Sequence, residues 1–279
     1  MHESAMQAIP DAKSPLSRGQ GRAERLPQTQ GSWRAGAGLR LSSLVAFALL
    51  WQLAAMLLQS PTLPPPVAVF GRLVDEMASM AMPHHLGITL LRVVVSFVLA
   101  MAIGAVIGIA MGHWRRLDTF LDAWLVLGLN IPALVTIILC YVWFGLNDWA
   151  AVVAVALNKI PTVVVTVREG ARAVDPRLMQ VAAAYRLSPW RTFSRVYVPQ
   201  LYPYLMAAAR AGLSLIWKIV LVVELLGRSN GIGFQLNVFF QFFDIAGILA
   251  YTLVFAGVVL LAEGLVLRPL ERRLTAWRV

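Results

Sequence analysis

Six apolar runs of about twenty residues or more punctuate this chain, at 39–59, 86–111, 120–144, 149–167, 204–226 and 245–267. A helix needs about 20 residues to cross about 30 Å of hydrocarbon. The runs therefore predict an all-α, polytopic membrane protein with about six transmembrane helices. Only helices and closed barrels satisfy every backbone polar group in lipid, and the ten-residue alternating segments of a barrel are absent. Composition agrees: 59% of the 279 residues are hydrophobic and 14% charged, against about 25% charged in soluble domains. The net charge of +10 raises nucleic acid as a partner. The basic residues lie between apolar runs rather than on one soluble surface, so the bilayer is the expected partner and nucleic acid is excluded. A single cysteine, Cys140, excludes an intrachain disulfide and reads as a small buried hydrophobe.

Residues 1–38 are polar and aperiodic and read as a disordered cytoplasmic tail; residues 39–279 form the transmembrane domain. Nineteen of the twenty-four basic residues fall on one side of the expected spans, among them Arg115, Arg116, Arg168, Arg172 and Arg177. The positive-inside bias makes that side cytoplasmic, together with both termini. Asn130-Ile131-Pro132 and Pro161 predict kinks in the third and fourth spans. On the outer side, a stiff proline-rich exit (60–66) precedes a short amphipathic surface helix (67–80), and 227–244 is expected to dip back toward the membrane.

The stretch 170–203, between the fourth and fifth spans, carries clear helix punctuation. Asp175-Pro176 and Ser188-Pro189 each pair an N-cap with proline at the first helical position, and Pro199 and Pro203 are expected to close the second helix. Leu178, Val181, Ala182 and Tyr185 share one apolar face. Two short cytoplasmic helices would form an exposed knuckle, or else a plain interfacial loop.

QVAAAYRLSPWRTFSRVYVP (180–199) resembles the coupling loop of permease subunits of binding-protein-dependent ABC importers. That pattern begins Glu-Ala-Ala, has a glycine a few residues later and ends in a hydrophobic-Pro pair. LPPP (63–66), YVWFGLND (141–148), VVELLGRSNGIGF (222–234) and PLERRLTAW (269–277) extend the likeness, which is greatest to the aliphatic sulfonate, taurine and nitrate group. The resemblance implies a type I ABC importer permease fold in a bacterial inner membrane. It implies two permease copies, two ATPase subunits that hold ATP and Mg, and an external solute-binding protein. Gln180, Val181, Ala182, Ala183, Tyr185, Arg186, Leu187, Ser188 and Pro199 are then the ATPase-coupling residues. Two departures stand out: Gln180 replaces the expected glutamate and Arg186 the expected glycine, the residue best suited to a left-handed helix end. Either the first helix runs on to Leu187, or Arg186 strains the turn and itself meets an ATPase dedicated to this permease.

No GxxxxGK[ST] occurs, so the chain is not expected to hydrolyse ATP or to be an enzyme. It is expected to bind no cofactor or metal. His84-His85 supplies too few ligands for zinc and reads as a surface pair. Inside the spans, Lys159, Thr162 and Thr166 form one helical stripe and Arg210, Ser214 and Lys218 another. Together they suggest a polar seam lining a translocation path for a small anion, or alternatively lysines neutralised by Glu224 or Glu263. Gly104, Gly108 and Gly112 read as a close helix–helix contact, and Asp118 and Asp122 as complements to a helix N-terminus. An ion-gradient-driven secondary transporter is the competing function, but it wants inverted repeats that the sequence lacks.

Overall fold

Helices make up the ordered secondary structure of the computed structural model, which describes residues 32–267 and Pro269. Most of the expected tail, Arg268 and nearly all of the PLERRLTAW segment lie outside the described residues. The elements are α1 (Ser32–Leu58), α2 (Pro66–Ala78), α3 (Ala81–His113), α4 (Arg115–Asn130), α5 (Ala133–Phe144), α6 (Asp148–Arg172), α7 (Pro176–Ala184), α8 (Pro189–Thr192), α9 (Val198–Gly227), α10 (Ile232–Gln241) and α11 (Ile245–Ala262). Five-residue π turns join α8 to α9 (Phe193–Tyr197) and follow α11 (Glu263–Leu267). The chain divides into Met1–Leu50, whose described part is the start of α1, and Trp51–Val279.

Among the described residues, four helices are long and apolar enough to span a bilayer: α3, α6, the continuous helix Pro189–Gly227 and Ile245–Leu265. The third expected span is not merely kinked: α4 and α5 meet at 99°. Pro132 has no N–H to continue α4 and, at φ −58°, caps the start of α5. Counted as one span, this pair makes a fifth, and the apolar part of α1, Ser42–Leu58, is shorter than the rest. α1 begins at Ser32, seven residues before the apolar run starts at Leu39, so its first turns fall within the expected tail. Pro161 does not end α6.

α6 is the centre of the packing, lying along both α3 and α9. Its buried residues are mostly Ala and Val, with Gly170, because in lipid association depends on close van der Waals approach rather than on burying large apolar groups. The facing side of α3 obeys the same rule. A Cβ on Gly104 would lie 2.7 Å from Val163, one on Gly108 2.8 Å from the Val164 carbonyl, and one on Gly112 would collide with Ala171. The glycine ribbon is therefore the contact that lets α3 press against α6. Meanwhile Leu91, Val94, Val98 and Val106 of α3 are exposed, as expected of a face turned to lipid. Cys140 is buried in the main apolar cluster.

α2 is the amphipathic outer helix expected from 67–80. It is fastened to α11 by Tyr251, whose hydroxyl donates to Glu76 at 2.8 Å, and by Arg72, which pairs with Asp244 at 3.2 Å. α10 folds back from the 227–244 segment and packs on α9, α11 and α3, with Ile232 and Phe239 buried.

Candidate functional site

The knuckle forms as two short capped helices. Asp175 accepts a hydrogen bond from the Arg177 N–H at 2.8 Å, and Pro176 opens α7. α7 stops at Ala184 in a Schellman arrangement: the Leu187 N–H reaches the Ala182 carbonyl at 3.1 Å and the Arg186 N–H the Ala183 carbonyl at 2.9 Å. Arg186 supplies the left-handed residue, φ +48°. The first of the two outcomes left open is thus eliminated: the helix does not run on to Leu187, and arginine performs the turn where the pattern has glycine. Ser188 then caps α8 by accepting from the Arg191 N–H at 3.4 Å.

Pro199 and Pro203 do not close the second helix, contrary to expectation. The ladder widens to π geometry over Phe193–Tyr197, so the Val198 N–H bonds the Phe193 carbonyl. Pro199 then falls in the first turn of α9, where no N–H is needed, and the helix continues through Pro203. The backbone N–H of Asp175 donates to the Gln200 side chain at 2.9 Å, tying α7 to the base of α9.

Of the coupling candidates, Ala182 is buried and Pro199 half-buried. Gln180, Val181, Ala183, Arg186, Leu187 and Ser188 are exposed. Tyr185 and Trp190 are 78% and 73% exposed, large aromatics left outside the packed helices.

The two polar stripes do not meet in one seam. Lys159 is only 1% exposed, sits with its Cε near Gly212 of α9, where an added Cβ would be 3.0 Å away, and its ammonium has no hydrogen-bond partner among the described residues. Thr162 and Thr166 are half-buried beside it on α6, the Thr166 hydroxyl donating to the Thr162 carbonyl at 2.9 Å. Arg210, Ser214 and Lys218 instead lie on an exposed face of α9. The physical reason is helical: positions 210, 214 and 218 project away from Gly212, Ile216 and Val220, which α6 and its neighbours cover. Neither lysine is neutralised by Glu224, which is engaged elsewhere.

Glu224, fully buried, anchors a network that the sequence analysis did not assemble. Its carboxylate accepts from the Arg92 guanidinium at 2.7 Å, from the Thr89 hydroxyl at 2.9 Å and from the Gly233 N–H at 2.9 Å. Arg92 also reaches Asp148, Asn230 and the Asn230 carbonyl at 3.0 Å. Arg228 pairs with Asp148 at 3.1 Å. Gly231, at φ +107°, passes so close to the Glu224 carboxylate that any Cβ would strike it, and its N–H donates to His85 at 3.0 Å. His84-His85 is therefore no free surface pair: His85 is half-buried and also meets Gln235 at 2.7 Å. Tyr141 donates to the Val223 carbonyl at 2.8 Å and its ring lies against Gly227. The network joins YVWFGLND to VVELLGRSNGIGF through the Arg228–Asp148 pair and the Tyr141–Val223 hydrogen bond. A glutamate inside a span, followed by Gly-x-Gly, was the available signal.

At the other end of α6, Arg168 pairs with Asp122 at 2.7 Å and Asp118 at 3.3 Å, and Arg172 with Asp118. The two aspartates thus clamp α4 to α6 besides standing at the start of α4. From Asp148 to Arg172, α6 covers roughly 36 Å at about 1.5 Å per residue, so network and knuckle occupy opposite ends of it.

Apolar spanning helices, a charge clamp at each end and an exposed helical knuckle define a membrane transport permease. Residues 100–275 match the binding-protein-dependent transport system inner membrane component family, and the chain belongs to that family. It is 29% identical over 231 residues to the putative aliphatic sulfonates transport permease protein SsuC of Bacillus subtilis (strain 168), covering 82% of this chain and 83% of that protein. To the taurine transport system permease protein TauC of Escherichia coli (strain K12) it is 28% identical, covering 81% and 84%. A crystal structure of an amino acid ABC transporter with histidines matches its fold at a TM-score of 0.58 and 20% identity, over 72% of this chain and 97% of that one.

Proposed function

We propose that this permease imports a small sulfonate-like anion, driven by ATP. Two copies pair with two ATPase subunits, which carry the ATP and Mg, and receive solute from an external binding protein. Both termini and the knuckle face the cytoplasm. The observation that carries the reading is the exposed knuckle, a capped, rigid apolar projection at one end of the longest-packed helix. A cleft on the ATPase that closes over Val181, Tyr185 and Trp190 would pull α9 through Gln200 and rock the helices between two access states, a population shift driven by differential affinity. The names of the relatives support the solute class. Lys218, on the exposed face of α9, supplies positive charge an anion path needs; Lys159, enclosed between α6 and α9, would join it only if rocking of the helices opens that contact.

Vesicles holding the chain, its ATPase and its binding protein test this. Taurine or ethanesulfonate uptake should follow ATP and stop with a non-hydrolysable nucleotide. Uptake by the lone chain along an ion gradient would favour a secondary transporter instead. Unchanged uptake in both Lys159→Met and Lys218→Met would remove the lysines from the path. Full transport with an unrelated sulfonate-system ATPase would refute a dedicated partner.

A further inference from the structure

The corner between α3 and α4 holds charge that the transport cycle described above does not use. Two shallow, largely open depressions sit there and share Arg115 and Arg116, one bordered also by Thr119 and Phe120, the other by His113, Trp114 and Leu117. Both guanidiniums are exposed, and no ion pair or hydrogen bond engages either among the described residues. The nearest carboxylates are spoken for: Asp118 and Asp122, one and two turns along α4, are bound by Arg168 and Arg172. Trp114 and Phe120 border these depressions and are exposed, as is Trp124 one turn beyond Phe120 on α4. The site closes the 33-residue apolar helix α3, which places it where hydrocarbon gives way to head groups.

We infer that this corner binds the phosphate head group of an anionic phospholipid in the leaflet on the knuckle side. Two unpaired guanidiniums present forked donors that fit phosphate oxygens. Trp114 sits at the level where an indole ring favours the interface. Phe120 and Trp124, one turn apart on α4, continue the site into an apolar stripe suited to an acyl chain. That stripe is what separates a lipid from free phosphate as the occupant. Because the same corner adjoins the Arg168–Asp118 clamp, a bound lipid braces the junction of α4 and α6 from outside.

Native mass spectrometry of the full-length chain in neutral detergent tests the assignment, titrating phosphatidylglycerol against phosphatidylcholine with identical acyl chains. Each basic residue near an anionic surface contributes about fivefold, so the pair should favour phosphatidylglycerol by roughly 25-fold. Arg115→Gln/Arg116→Gln should abolish the preference, and Arg115→Lys/Arg116→Lys should keep most of it. Arg191→Gln, which removes an exposed charge on α8, should leave it unchanged. Inorganic phosphate at millimolar concentration should not compete. The assignment is overturned if the double glutamine variant keeps the preference, if the double lysine variant loses it equally, if Arg191→Gln lowers it as much, or if inorganic phosphate displaces the lipid.

Discussion

The two ends of α6 are built on opposite plans. In the knuckle itself, beyond the Arg168–Asp122 clamp, order is local: Asp175 caps a residue two positions on, Ser188 one three positions on, and the Schellman bonds close within five residues. The apolar side chains there point outward, waiting for a partner. At the other end, order is long-range: Glu224 meets Thr89 and Arg92 across 135 and 132 residues of chain, and the charges point inward. On the proposed function one end is the part another protein grasps, while the other holds four segments of the same chain as one body. The comparison predicts that damage at the network end lowers the stability of the whole bundle, while damage at the knuckle alters coupling and spares the bundle.

The largest effect should come from Glu224→Ala, which strands the Arg92 charge in the protein interior. Removing one partner of a buried pair costs about 3–5 kcal/mol, seen as a lowered thermal midpoint in detergent. An Arg92→Met/Glu224→Met double variant should recover part of that loss. Next, Gly108→Leu should force α3 off α6 for about 1–3 kcal/mol, whereas Gly257→Leu, on a face with nothing within 4 Å of the new Cβ, should leave the midpoint alone. Asp175→Ala should cost about 1 kcal/mol locally, read as faster hydrogen exchange in α7 with an unchanged global midpoint and weaker binding of the ATPase. Smallest is Arg186→Gly: glycine occupies φ +48° without the Cβ penalty, so exchange in α7 should slow slightly. If that variant also weakens ATPase binding, Arg186 contacts the partner as well as making the turn.

Much of this was legible without coordinates, and the reason is range. Hydropathy, the Asp175-Pro176 and Ser188-Pro189 caps, the glycine ribbon and the amphipathic α2 all express rules that operate within a few turns of helix. The prolines misled because a π turn, a change in hydrogen-bond register that no residue type announces, let α8 and α9 run together through Pro199 and Pro203. The polar stripes misled for a different cause. Periodicity says which residues share a helix face, but it does not say which face meets a neighbour. Thus Lys159 is enclosed while Arg210, Ser214 and Lys218 look outward.

The amino-acid sequence by itself determined that this is a helical membrane protein with a capped knuckle of the permease family's type, since spanning length and capping depend only on near neighbours. The tertiary structure alone decided that buried Glu224, Arg92 and Thr89, the exposed Asp148 and the Gly231–Gly233 turn form one connected unit. It likewise decided that the α4–α5 break is 99° and that Arg186, not glycine, makes the turn after α7. Those outcomes depend on which distant groups must satisfy one another once water is excluded, a condition no local pattern can express.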